Sequence, residues 1–485
     1  MFDNATAYSA LTSRDPRFDG VFFVGVTSTG VYCRPVCPAR TPRQENCRFF
    51  ETAAAAEKAS FRPCLRCRPE LAPGNAPVDG AQRVAHLLAR RIEEGLVDSG
   101  AGLEEIAAQF ALSSRQLRRI VQKELGVAPI ELLQTRRLLL AKQLLTETRL
   151  PVTQVAFASG FASLRRFNDA FSARYRMPPS RLRRQAVGDA ADFDAAGTST
   201  LQLNYRPPYD WQGVLQFLAA RMMTGVEWIA ADTYARTVRL GRHSGWIIVR
   251  HLPDRHALAV EFTHSLAPVL PALLGRLRNL FDLSARPDQI AAHLMLDKTL
   301  RQEVRANPGL RVPGAFDGFE LTTRAILGQQ ITVKAATTLA CRFAAAFGEP
   351  IATPHAALNR LSPTQEVVAK ASVDSVAKLG IVSSRARSII ALAQALQSGE
   401  LQLEAGAQPE EAVQRLVALP GIGEWTAQYI AMRALRWPDA FPKGDVAILN
   451  NLGGITAKQA EAMSESWRPW RSYAVFHIWR RQRPV

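Results

Sequence analysis

Four cysteines in the first 70 residues carry the densest chemistry in this sequence: Cys33-x3-Cys37 in VYCRPVCPAR and Cys64-x2-Cys67 in FRPCLRCRPE. Two short-spaced pairs about thirty residues apart suit one tetrahedral zinc ion, each pair gripping an edge while the loop between them folds back. The alternatives are a disulfide framework and cysteines buried as small hydrophobes. The opening MFDNATAYSALTSRDP lacks the apolar segment of a secreted chain, and reduced cytosolic thiols favour metal over disulfide. Cys47 belongs to neither pair and reads as a spectator. A zinc-bound thiolate is deprotonated outright and can act as a nucleophile at neutral pH. Here the thiols sit among Arg34, Arg40, Arg43, Arg48, Arg62, Arg66 and Arg68, a basic rim that would bring a nucleophile to a phosphate backbone.

The elements that must position this chemistry follow from length and pattern. A chain of 485 residues implies three or four domains rather than one core. The net charge of +17 points to an acidic polymer as partner, and residues 81–185 carry 18 Lys/Arg against 9 Asp/Glu. No apolar stretch approaches the ~20 residues that span a bilayer, so a membrane protein is excluded. ELAPGNAPVDG (70–80) reads as a Pro/Gly linker, 81–185 as helices throughout, and the small, acidic 186–200 as a flexible tether that keeps the chemistries on either side independent. ARTVRLG, GWIIVRHL and HALAVEF read as strands, and from about residue 305 the pattern is helical again, broken by Gly and Pro at 347–354 and 420–423. The resulting fold class is multidomain α+β.

The basic block contains a duplication. LEEIAAQFALSSRQLRRIVQKELG (103–126) is an amphipathic helix, a turn with Ser113 and Ser114 as N-cap candidates, and a helix bearing Arg115, Arg118 and Arg119. The second copy, 152–184, has Gly160 at the turn and Arg165 and Arg166 on the following helix. Helix-turn-helix units place the second helix in the major groove. GFASLRRFNDAFSARYRMPPSRLR resembles the AraC-type transcription factors, which join two such units by a long helix, here ELLQTRRLLLAKQLLTE (131–147).

Two further resemblances cover the ends. FDGVFFVGVTSTGVYCRPVCPARTP, followed by NCRFFETAAAAEKASFRPCLRCRPE, resembles the N-terminal domain of the Ada adaptive-response proteins. It implies that Cys33, as the first cysteine of the first pair, takes a methyl group irreversibly from a DNA methylphosphotriester, with Cys37, Cys64 and Cys67 completing the zinc site. Methylation would change the cluster charge from −2 to −1, relieving about 1–4 kcal/mol of repulsion toward a nearby phosphate, which gives a methylation-switched activator its physical basis. The Pro-Cys-His-Arg motif of an alkylguanine transferase is absent; Cys341 is the only cysteine beyond residue 67 and reads as a buried helix residue.

In the C-terminal half, LVALPGIGEWTAQYIAMRAL (416–435) is a hairpin between helices, where Gly421 and Gly423 let amides and a helix N-terminus approach a DNA phosphate. Asp445 follows in DAFPKGDVAI; on local grounds it is also an N-cap for VAILNNL. Together with LNYRPPYDWQGVLQFLAARMMTGVEWI, FELTTRAILGQQITVKAA and SWRPWRSYAVFHIW, these segments resemble the AlkA-type 3-methyladenine glycosylases of the helix-hairpin-helix family. The resemblance implies Asp445 as catalytic carboxylate, Trp425, Tyr429 and Trp479 as the base pocket, and Gln329, Gln330, Gly421, Gly423 and Thr426 as DNA contacts. Arg115, Arg118, Arg165 and Arg166 are the expected contacts of the helix-turn-helix units. The position of a lyase lysine holds Trp425, so hydrolysis without strand cleavage is expected, and the absence of a four-cysteine cluster near the C-terminus excludes an iron–sulfur centre. The apolar wedge of these enzymes is replaced by Gln330, a residue that stacks less well and can hydrogen-bond the orphaned base.

The expected domains are a zinc methyl acceptor (1–78), an all-helical double helix-turn-helix domain (81–185), a strand-rich α+β domain (198–304) and an all-helical glycosylase domain (305–485). The expected cofactor is one zinc ion, with a monovalent cation admitted at the hairpin backbone. The expected partners are alkylated DNA, an operator and RNA polymerase, for a monomer in the cytoplasm on the nucleoid. The competing reading is a transcription factor whose C-terminal half binds DNA without catalysis.

Overall fold

The computed structural model describes residues 4–14, 18–19, 22–50, 52–69, 80–93, 95, 97, 103–108, 110–187, 197–404 and 407–481. The chain forms two compact units, Met1–Arg90 with Ala101–Leu133, and Arg91–Gly100 with Gln134–Val485. No described helix is long and apolar enough to cross a membrane.

In the first unit a four-stranded sheet presents the cysteines. Phe23–Val26 pairs antiparallel with both Val31–Cys33 and Cys47–Phe50, and Arg62–Pro63 runs parallel to Val31–Cys33. Cys33 therefore ends a strand, opposite Val24, while the Cys64 amide donates to the Tyr32 carbonyl (3.0 Å) and brings the second pair beside the first. The helix Ala53–Lys58, capped by Thr52, closes the return loop over Ala56 and Phe61. The first helix-turn-helix follows: Leu103–Ala108, then Ser114–Leu125, with Ser113 rather than Ser114 as N-cap in a reciprocal capping box with Gln116.

The division between the units falls inside the helix Pro129–Glu147, the expected long connector. In the second unit, Val152–Ala158 and Leu164–Tyr175 form the second helix-turn-helix, turning at Gly160 (φ +92°) with Ser163 as N-cap. A five-stranded antiparallel sheet follows in the order Thr198–Asn204, Ala257–Thr263, His243–Leu252, Thr233–Leu240, Glu227–Ala230. The helices Trp211–Ala219 and Leu270–Leu280 bury their apolar stripes on one face of it.

The tether expectation needs correction. Its last residues, 198–200, open the edge strand, because TLQLN alternates apolar and polar residues. Helix Pro179–Val187 covers its start; 188–196, like the linker residues 70–79, lie outside the described residues. Nor is the second helix-turn-helix independent of the sheet. Leu144, Val155 and Phe171 share one core with Leu201, Leu266 and Leu270. Gln143 Nε2 donates to the Gln202 carbonyl (2.7 Å), and the Gln202 amide donates to Glu147 Oε2 (2.8 Å). Both backbone groups of an edge residue, otherwise a template for unwanted pairing, are thereby closed.

The remaining chain is helical around a separate core. Its site-bearing helices are Gly318–Leu327, Val333–Phe347, Ser383–Gln397, Pro409–Ala418, Glu424–Arg433, Val446–Asn451 and Arg471–Trp479.

Candidate functional site

The sulfurs of Cys33, Cys37, Cys64 and Cys67 all lie within 4.8 Å of one another. Cys33, Cys37 and Cys67 are buried, and Cys64 is half-buried. Cys47 lies outside the cluster, its thiol donating to the Arg43 carbonyl at 3.3 Å. Hydrogen bonding to Cys37 and Cys67, and then burial, pushes the Cys33 thiol far up. The neighbouring guanidinium does not supply the missing positive charge. Arg34 is fully buried and held by Asp19 through Nε (2.8 Å) and Nη2, while its Nη1 donates to the Cys67 carbonyl (3.3 Å) and its amide to Cys67 Sγ (3.4 Å). Four converging sulfur donors beside an arginine already neutralised fit a thiophilic dication such as zinc. This corrects the basic rim: Arg34 is an interior brace of the cluster, and Arg40, Arg43, Arg48, Arg62, Arg66 and Arg68 are the exposed cations.

On the two second helices, Arg115, Arg118, Arg119, Arg165 and Arg166 are exposed close behind the serine caps. Leu117, Val121, Phe167 and Phe171 turn inward. This is the division of faces that groove insertion requires.

The hairpin joins Pro409–Ala418 to Glu424–Arg433. Gly421 has φ +76°, and a Cβ there would stand 2.4 Å from Ser388 Oγ, so glycine is required by both backbone and space. Gly423 caps the second helix and faces open space, leaving its N-terminal amides accessible to an anion.

Beyond the hairpin lies a cavity of about 580 Å³ lined by Trp425, Tyr429, Trp479, Phe217, Arg221 and Asp445, among others. Trp425 and Tyr429, one helical turn apart, have parallel rings (5.6 Å between centroids, 5° between planes), and Trp479 lies 6.3 Å from Tyr429. Asp445, 9% exposed, caps Val446–Asn451 by accepting from the Ile448 amide through Oδ1 at 2.9 Å. The same oxygen accepts from Trp479 Nε1 (3.0 Å), and Oδ2 accepts from Trp425 Nε1 (3.0 Å). Asp445 thus caps a helix while its carboxylate lines the cavity, held by two of the three aromatics there. Burial pushes the Tyr429 phenol up, but Arg433, which donates to its oxygen at 2.8 Å, and Arg221 outweigh it and bring it down to about 8.

Gln329 and Gln330 part ways. Gln329 Nε2 donates to the Gly421 carbonyl (2.9 Å) and to Thr426 Oγ1 (3.1 Å), with Thr426 buried, so these two expected DNA contacts face each other. Gln330 is exposed on the turn before Val333–Phe347. The Arg34–Asp19 pair and the cavity arginines Arg221 and Arg433 carry no signal in sequence beyond their share of a large positive charge, and only tertiary packing distinguishes them.

Four family profiles match the chain: the metal binding domain of Ada over residues 6–70, a helix-turn-helix domain over 106–185, the AlkA N-terminal domain over 200–317, and the HhH-GPD superfamily base excision DNA repair protein over 323–472. A probable bifunctional transcriptional activator/DNA repair enzyme AlkA of Mycobacterium tuberculosis is 40% identical over 485 residues, spanning 98% of this chain and 96% of that protein. DNA-3-methyladenine glycosylase 2 of Escherichia coli is 38% identical over 279 residues, 57% of this chain and 95% of its own length. The bifunctional transcriptional activator/DNA repair enzyme Ada of the same organism is 37% identical over 122 residues, 25% of this chain and 33% of its own. The 3-methyladenine DNA-glycosylase from Archaeoglobus fulgidus aligns over 57% of this chain and 97% of its own with a TM-score of 0.51 at 20% identity, a likeness of fold.

Proposed function

The chain belongs to the family of bifunctional transcriptional activator/DNA repair enzymes that carry Ada-type and AlkA-type domains, and from that premise we propose that it joins two repair chemistries to a DNA-binding switch. The domains are taken as 1–78, 81–185, 198–304 and 305–485. The observation that carries the reading is the coexistence of a buried four-sulfur cluster with an aromatic cavity in which two indole N–H groups aim Asp445.

At the first site Cys33, Cys37, Cys64 and Cys67 hold zinc, which supplies a thiolate at neutral pH. Cys33 Sγ attacks the methyl carbon of a DNA phosphotriester; the carbon–oxygen bond breaks, its electron pair stays on the phosphate oxygen, and S-methylcysteine remains without turnover. The exposed arginines around the cluster hold the backbone, and the drop in cluster anionic charge strengthens operator binding through Arg115, Arg118, Arg165 and Arg166. RNA polymerase as partner, a monomeric state and a cytoplasmic, nucleoid-bound location belong to the same proposal.

At the second site an N-alkylated purine leaves the helix stack, at a cost of a few kcal/mol, and enters the aromatic cavity. Its positive charge weakens the glycosidic bond and favours electron-rich ring faces. Asp445 stabilises positive charge developing at the sugar; the base departs neutral with the bonding pair, water adds at C1′ and releases its proton to solvent, leaving an abasic site. Gly421 and Gly423 present amides to the phosphate, while Gln329 and Thr426 lock the turn to the hairpin. A monovalent cation at the hairpin backbone is part of the proposal, with the Gly421 carbonyl already accepting from Gln329.

The test is incubation with DNA carrying labelled methyl groups. One S-methyl per chain at Cys33, together with catalytic release of 3-methyladenine and strands that break only in alkali, is expected. Label at Cys37 or Cys64 with Cys33 unmodified would overturn the nucleophile, and no base release would leave the regulator reading standing.

A further inference from the structure

The cavity that holds Asp445 is lined by five arginines, Arg221, Arg311, Arg324, Arg433 and Arg480, against two carboxylates, Asp210 and Asp445. That balance repels a cationic base wherever a guanidinium is left uncompensated. Arg480 is paired with Asp210. Arg311 donates to the carbonyls of Arg206 (2.8 Å) and Pro208 (2.9 Å). Arg221 donates to the Phe217 carbonyl (3.0 Å), and Arg433 to the carbonyls of Pro313 and Gly314 and to the Tyr429 oxygen, each at 2.8 Å. Arg324 differs. Its partner is a carboxylate behind the cavity wall, Glu227 Oε2 at 3.2 Å.

Glu227 opens the edge strand Glu227–Ala230 and is 6% exposed. Its Oε2 also accepts from the Met223 amide (3.2 Å), and its Oε1 from the Tyr234 hydroxyl (2.8 Å). In the sheet register it stands opposite Arg236, which pairs at 2.8 Å with Glu320, one turn before Arg324 on Gly318–Leu327. Burial pushes the Glu227 carboxyl up, but Arg324 and Arg236 outweigh it and hold it below the ordinary range. A buried ion pair adds little net stability over an apolar pair of the same volume, so stability does not account for this placement. The charge at the cavity wall does: burial pushes the Tyr429 phenol up, and Arg324 joins Arg433 and Arg221 in bringing it down, so all three guanidiniums act on one pocket wall.

We propose, resting on the glycosylase reading of the cavity, that Glu227 is a positioning residue of the base site: it holds Arg324 in place and cancels its charge, so that the cavity admits a cationic base. The carboxylate comes from the sheet and acts only through the guanidinium it holds. Without it Arg324 would add a net positive charge to a wall that Arg221 and Arg433 already make cationic.

The experiment uses the full chain and two duplexes. One carries 7-methylguanine on a 2′-fluoro sugar, which resists loss of the base; the other carries the uncharged isostere 7-methyl-7-deazaguanine. Affinities are measured in mildly acidic buffer, where the methylated guanine keeps its full positive charge. Glu227→Gln should weaken binding of the cationic duplex by about tenfold, the effect of a unit charge several ångströms away, and change the isostere by less than about twofold. Arg324→Gln should act in the opposite direction, tightening the cationic duplex relative to the isostere. The double variant restores neutrality and should return the ratio of the two affinities to within about threefold of wild type. Tyr234→Phe removes a hydrogen bond from Glu227 and leaves the charge, so its ratio should stay within about twofold of wild type. If Glu227→Gln does not fold, Arg324→Gln and the double variant decide. Equal losses on both duplexes, or a ratio that Arg324→Gln leaves unmoved, overturns the proposal. Base release by wild type from an ordinary 7-methylguanine duplex is followed in parallel; its absence would refute the glycosylase reading instead, a result separate from the affinity ratio.

Discussion

Replacing Trp479 by Phe removes one N–H and keeps an aromatic face, which isolates the aiming of Asp445 from the stacking of the base. The Trp479 Nε1 to Oδ1 and Trp425 Nε1 to Oδ2 distances are both 3.0 Å, so each carboxylate oxygen loses one pocket donor in the corresponding variant. A hydrogen bond to a charged group contributes about 1.5–3 kcal/mol, which corresponds to about 10- to 150-fold if the misaimed carboxylate loses that much of its hold on the transition state. Oδ1 still accepts from the Ile448 amide, so the helix cap and the fold survive. The assay is single-turnover release of 3-methyladenine from methylated duplex, with binding to an abasic duplex as the control for stacking. Trp479→Phe and Trp425→Phe should each slow release by at least tenfold while changing abasic binding by less than about threefold. Release within twofold of wild type in both variants would show that the indoles do not position Asp445.

Tyr429 titrates near 8 in the folded chain, so its phenol is neutral below that value and anionic above it. Release of a cationic alkylpurine should therefore rise as pH passes through about 8, and Tyr429→Phe should flatten the profile between pH 7 and 9. Chelation of the metal should expose the thiols of Cys33, Cys37, Cys64 and Cys67 to a thiol reagent and speed amide exchange in Val31–Cys33, with base release unchanged. Glu147→Ala should accelerate exchange of the Gln202 amide and, together with Gln143→Ala, lower the stability of the second unit by about 1–2 kcal/mol, because two hydrogen bonds closing the sheet edge are lost.

The parts of this architecture legible in sequence were those set by local periodicity or by clustered rare residues. The cysteine pairs, the serine-capped basic helices, the PGIG hairpin and the alternation of ARTVRLG and GWIIVRHL each announce themselves within about ten residues. What stayed hidden depends on groups far apart in the chain. Nothing near Arg34 tells it from the exposed arginines around it, because its partner Asp19 lies 15 residues away in the chain and meets it only in the folded structure. The 186–200 segment looks like a spacer, while the docking of the second helix-turn-helix comes from Gln143, Glu147, Val155 and Phe171, whose apolar members also serve an ordinary helical core. Asp445 was legible as cap and as carboxylate; its two indole donors, 20 and 34 residues away, were legible only as pocket walls.

The central claim is that one chain carries two separable repair chemistries, and the most direct measurement is the fate of both in a pair of variants given the same methylated DNA. Asp445→Asn retains an N-cap and removes the charge, so it should keep its fold, accept methyl at Cys33 as wild type does, and release 3-methyladenine slower by orders of magnitude. Cys33→Ala should release base at the wild-type rate and acquire no S-methylcysteine. Base release by Asp445→Asn at the wild-type rate, or methyl uptake by Cys33→Ala, would contradict the account.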